Sequence, residues 1–109
     1  MKTKVTTNKQ AIKITSRLEE KLKEALRGFG EEFVINTENC DTFFTTTIRS
    51  NENWIITRVV LESITKVAKN FCKRYEEMLW GIECGEYTSK TTGNKFPTPQ
   101  IYIQLNIIK

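Results

Sequence analysis

Lys66, Lys69 and Lys73 recur at i, i+3 and i+7, the spacing that lines side chains along one face of a helix. At ~1.5 Å of rise per residue their ammonium groups form a ridge about 10 Å long. A ridge of this kind neutralises neighbouring phosphates and releases their counterions, which gives salt-sensitive, sequence-blind binding of nucleic acid. Glu62 on the same face, with Glu76 and Glu77 beyond it, dilutes the positive field. An ordinary solvated helix face accounts for the same pattern. A second basic set opens the chain, where the first sixteen residues carry Lys2, Lys4, Lys9 and Lys13 and no acid. Lys9 and Lys13 therefore join the ridge as candidate nucleic-acid-binding residues. A third candidate is the stretch Thr88–Pro99, TSKTTGNKFPTP, which lacks periodicity and is long for a hairpin connection. Lys90, Lys95 and Phe96 would make it a partner-binding loop.

Other chemistries find little support. The chain has no His, the side chain that does most acid–base work near neutral pH and most often ligates metals. Cys40, Cys72 and Cys84 are widely spaced and form no CxxC pair, so neither a zinc site nor a redox motif is indicated. The acids come as neighbours, Glu19–Glu20, Glu31–Glu32 and Glu76–Glu77, and adjacent residues do not converge on one reacting atom. Neither GxxxxGK[ST] nor GxGxxG occurs, which removes the usual backbone cradles for nucleotide phosphates. Cys72 reads as core filler without a neighbour to activate it. The expectation is a non-enzymatic protein with no catalytic residues, no metal site and no cofactor.

The 109 residues suit a single domain spanning 1–109. With 39% hydrophobic and 28% charged residues the composition is that of a folding chain. No apolar run approaches the length of a membrane span and no apolar signal core follows the basic start, so a cytoplasmic location is expected. The net charge of +4 favours an anionic partner only weakly. Lys, Asn and Ile supply 32 of the 109 residues and Thr another 15, a bias expected of an AT-rich gene of the kind found in low-GC bacteria and their mobile elements.

These residues need elements to position them. Residues 1–9 read as a flexible basic arm, and Ile12-Lys13-Ile14 alternates like a short edge strand. Ser16-Arg17-Leu18-Glu19 has the form of a capping box. It predicts a helix over 17–28 with Leu18, Leu22, Ala25, Leu26 and Phe29 inward and Gly28 and Gly30 at its end. Phe33-Val34-Ile35 and Thr42–Ile48 predict two antiparallel strands, with Phe44, Thr46 and Ile48 facing the core and Phe43 outward. Trp54–Thr57 suits a short third strand or an early helical turn. Val60, Ile64, Val67, Ala68, Phe71 and Tyr75 mark an amphipathic helix over 59–77. Trp80–Tyr87 and Gln100–Ile107 alternate as a final hairpin around the 88–99 loop. No internal sequence repeat is visible.

With a third strand at Trp54, the order helix, three strands, helix over Ser16–Leu79 resembles the double-stranded-RNA-binding domain. Ile64-Thr65-Lys66-Val67-Ala68-Lys69 is similar to that family's Lys-rich second-helix start. The chain departs from the family in having one Lys where two adjacent ones are expected and no His before it. If Trp54 joins the helix, the order strand, helix, two strands, helix, strand, strand resembles a ferredoxin-like split βαβ unit, which specifies no function.

The expected architecture is two-layer α+β, with two helices on one face of a mainly antiparallel sheet of about four to six strands and the other face partly open. Phe43, Tyr102 and Trp54 are its candidate aromatics. The leading expectation is binding of nucleic acid, or of nucleic-acid-handling machinery, through the Lys66, Lys69 and Lys73 ridge and the basic start. The alternative is a phage or mobile-element inhibitor or adaptor that blocks a host protein through a sheet edge or the 88–99 loop. A homodimer formed by edge pairing is compatible with either.

Overall fold

The computed structural model describes residues 2–29, 33–50, 58–88 and 91–108, with residues 50, 84–87 and 96–98 described by their backbone alone. Helix α1 (Asn8–Leu26) ends in a short 3-10 turn and is followed by strands β1 (Phe33–Asn39) and β2 (Phe43–Ser50). Helix α2 (Arg58–Arg74) then precedes β3 (Met78–Thr88) and β4 (Lys95–Asn106). The four strands form one antiparallel sheet in the order β1-β2-β4-β3. The element order α-β-β thus occurs twice, a repetition without a counterpart in the residue sequence. The expected α+β architecture is present, with the helices packed against each other and against the sheet.

The core lies between the layers. From α1 it takes Ala11, Ile14, Leu18, Leu22 and Leu26, and from α2 Val60, Ile64, Ala68 and Phe71. The sheet contributes Phe44, Ile48, Met78, Ile101, Ile103 and Leu105. Phe44, Thr46 and Ile48 face inward, as their alternation predicts. Buried Thr46 keeps its hydroxyl satisfied, 2.9 Å from that of Thr37, which donates to the Glu19 carboxylate at 2.8 Å.

Four expectations need correction. Ser16 does not start the first helix. Thr7 does, through a capping box with Gln10, and the apolar stripe from Ala11 and Ile14 onward carries the helix through Ser16. Ile12-Lys13-Ile14 is therefore helical, and the ferredoxin-like order loses its first strand. Residues 2–9 are likewise no free arm. Val5 is buried, Thr3 bridges Tyr75, the Ile108 amide donates to the Val5 carbonyl and the Glu76 amide to that of Thr3.

Among the described residues of the 88–99 stretch, Thr88 and residues 95–99 are strand. β3 and β4 stay paired from Met78↔Leu105 to Thr88↔Lys95, whereas β2 accompanies β4 only from Phe43↔Asn106 to Ile48↔Ile101. Pro97 and Pro99 fall where, among the described residues, β4 is paired with β3 alone, a position that tolerates a missing N–H. The turn itself includes Gly93 in the left-handed region, φ 74°. The strand expected at Trp54, and with it the order resembling the double-stranded-RNA-binding domain, lies outside the described residues.

Candidate nucleic-acid interface

The sheet's open face is nearly uncharged. The strand registers place Asn36, Thr47, Tyr102 and Gly81 in one row and Glu38, Thr45, Gln104 and Leu79 in the next, followed by Phe43 beside Asn106. Phe43 and Tyr102 are half-buried. Gly81 has a structural reason: a Cβ there would meet the Tyr102 hydroxyl at 2.6 Å and ring carbons at 2.8 Å. The ring lies across the glycine and covers the sheet where it has no side chain. Among the described residues Glu38, Arg49 and Glu83 bring charge to this face, and Glu83 accepts a hydrogen bond from Gln100 at 2.7 Å.

The helix layer is different. Residues 2–29 and 58–74 together hold thirteen Lys and Arg against four Glu, whereas the remainder of the chain holds four basic residues against nine acidic. The two helices and the segments that flank them thus hold most of the basic residues of a chain whose net charge is modest.

Lys66, Lys69 and Lys73 are exposed on α2. Among the described residues none of them is ion-paired with a carboxylate; the ion pairs found there are Lys21–Glu24 at 3.5 Å and Arg58–Glu62 at 3.0 Å. The second pair ties up Glu62, the acid that shares the ridge's face. Lys69 also reaches over the Trp80 ring, 6.0 Å from its centroid, which anchors the lower side of the ridge to β3. Lys9 and Lys13 are exposed on α1. Of the loop candidates, Lys95 and Phe96 stand in β4 opposite Thr88 and Tyr87, and Lys90 lies outside the described residues. The three candidate sets are therefore not gathered at one point.

The fold brings out residues that the linear reading passed over. Lys13, Arg17 and Lys21 follow one another at i, i+4 and i+8 along α1. Lys13 and Arg17, with Lys4, surround a groove of about 140 Å³ floored by Val5, Ile14 and Tyr75. Lys21 faces Asn70 and Arg74 across a second groove of about 250 Å³ between the helices. Arg74 is held there over the Phe71 ring, 5.9 Å from its centroid. The signal was present in the spacing, but a helix started at Ser16 cuts Lys13 away from Arg17.

Cys72 is half-buried against the core, and burial raises its thiol pKa while the Lys2 ammonium works against that rise. Cys40 and Cys72 are both free thiols. No helix among the described residues is long and apolar enough to cross a membrane. Comparison with known proteins finds no matching family model, no similar curated protein and no similar solved structure.

Proposed function

We propose that this chain is a non-enzymatic binding protein that engages nucleic acid through its helix layer. The observation that carries the reading is the segregation of charge: the ridge of Lys66, Lys69 and Lys73 and the α1 row of Lys13, Arg17 and Lys21 belong to one layer, and the opposite face is almost neutral. Clustering of this kind is the electrostatic footprint of phosphate recognition. Among the described residues no carboxylate pairs with the ridge ammonium groups, which supports the reading further, because none has to be displaced before a phosphate binds. Phosphate contacts fix position and carry no sequence information, so the expected binding is tolerant of base sequence.

The test is fluorescence anisotropy of labelled DNA and RNA titrated with the full chain at several salt concentrations. Affinity should fall linearly with log salt. Reversal of Lys66, Lys69 and Lys73 to Glu should weaken binding by about 100-fold and flatten the salt slope by about 2 to 3, one phosphate contact being lost per residue. Absence of binding at low salt overturns the reading.

One observation favours a second reading, a block on a partner protein. β3 is an eleven-residue strand at the edge of the sheet, and Leu79 and Ile82 on it are 43% and 56% exposed. An open edge of that length is a template for strand addition by another chain. Such binding would be indifferent to the lysine reversals and to salt, and lost on substitution of Ile82 by Lys.

A further inference from the structure

We infer that the groove under Lys4, Lys13 and Arg17 takes one unstacked nucleotide, so that the helix layer prefers single-stranded nucleic acid to duplex. The inference rests on the proposed function and adds to it a place for a base and a choice of strand state. The groove has two chemistries in one concavity. Its floor is apolar and nearly inaccessible, with Val5, Ile14 and Tyr75 1%, 9% and 9% exposed. Its rim carries Lys4, Lys13 and Arg17 beside Thr3 and Gln10, and among the described residues no acid lines it. Glu76 and Glu77 line a separate depression on the far side of Lys4, with Asn106.

A planar, weakly polar ring carrying a phosphate matches this arrangement, with the ring on the floor and the phosphate among the cations. The volume of about 140 Å³ falls below the about 300–1,000 Å³ of sites for larger organic ligands, which limits the occupant to one ring system. The charge complementarity of rim and phosphate selects a nucleotide over an apolar side chain of a protein. A base inside a duplex must be unstacked and unpaired before it can enter, at a free-energy cost that a single strand escapes. Lys66, Lys69 and Lys73 are exposed along α2 and read phosphates in either strand state.

Anisotropy titrations with a labelled oligothymidylate and a labelled blunt DNA duplex of equal length test this on the full chain, comparing it with Lys13→Glu/Arg17→Glu and Lys66→Glu/Lys73→Glu. All four residues are exposed, and circular dichroism of each variant establishes that it is folded. The single strand should bind about ten-fold tighter than the duplex, and Lys13→Glu/Arg17→Glu should remove most of that preference. The Lys66→Glu/Lys73→Glu variant should weaken both ligands alike, by about ten-fold, through lost phosphate contacts. Equal affinity for both ligands, or an equal loss of both in Lys13→Glu/Arg17→Glu, overturns the nucleotide groove and leaves the helix-layer interface standing. Failure of either ligand to bind at low salt overturns both.

Discussion

The helix layer and the open face of the sheet rest on the same core, yet they present opposite chemistry to water. Outward positions of α1 and α2 carry Lys, Arg and Glu, whose long stems hold charge away from the body. Outward positions of β2 and β4 include Thr45, Thr47, Gln104 and Asn106, short polar groups half-covered by their cross-strand neighbours. A helix of 3.6 residues per turn exposes a wide arc in which charge stays solvated, whereas a strand exposes alternate residues set close beside the next strand. The lesson of the difference is polarity of function. The helical side presents the cations that the proposed recognition would use, and the aromatic on the sheet side, Tyr102, covers Gly81.

Substitutions that separate the two faces make this contrast testable. The largest effect is expected beneath both of them. Ile103, 1% exposed and between Thr46 and Trp80 in the sheet, should cost about 2–5 kcal/mol when changed to Ala. Urea denaturation measures the loss, which would affect both faces at once. A binding comparison follows. Thr45→Glu with Thr47→Glu should change nucleic-acid affinity by about two-fold or less, because even the shortest dimension of the molecule, 18 Å, exceeds the Debye length of ~8 Å at physiological salt. A loss comparable to that of the lysine reversals would show that the sheet face is part of the interface.

Gly81→Ala should destabilise by about 1 kcal/mol, since the new methyl group displaces the far end of the Tyr102 ring. The same change in a Tyr102→Ala background should cost less, and the double-mutant cycle measures the coupling. Equal costs in the two backgrounds would mean that the ring does not lie over the glycine in solution. The smallest effect concerns pH. Burial raises the Cys72 pKa above its ordinary value near 9.0. The unfolded chain therefore releases this proton first as pH climbs, and the contribution of Cys72 to stability, complete below that value, declines as pH rises through the folded-state value. A Cys72→Ala variant should show a shallower alkaline decline in denaturation midpoint than the parent.

Periodicity made much of this fold legible. The stripe Val60, Ile64, Ala68 and Phe71 locates α2 to within a few residues, and the alternation of Phe44, Thr46 and Ile48 orients β2 correctly. Short motifs misled. Ile12-Lys13-Ile14 alternates over three residues, too few to distinguish a strand from a helix whose Ile12 is exposed and Ile14 buried. Two capping boxes, at Thr7 and Ser16, compete for one helix, and the earlier one prevails because Val5 docks on the body and holds the chain entry in place. The same mistaken boundary hid Lys13, Arg17 and Lys21 as one row.

What the sequence by itself determined is local: the type of each long element, its inward face, the lack of His, and the lysine spacing on α2. Periodic burial and side-chain identity are properties of neighbouring residues, so they can be read in order. Tertiary structure alone decided the partners. The β2–β4 pairing joins Phe43 to Asn106, the chain start meets Tyr75, and the pairing with β3 turns a proline-containing stretch into strand. The basic grooves depend on those long-range contacts. Their cations come from the chain start, α1 and α2, and only packing of the helices across the shared core brings them to one side of the molecule.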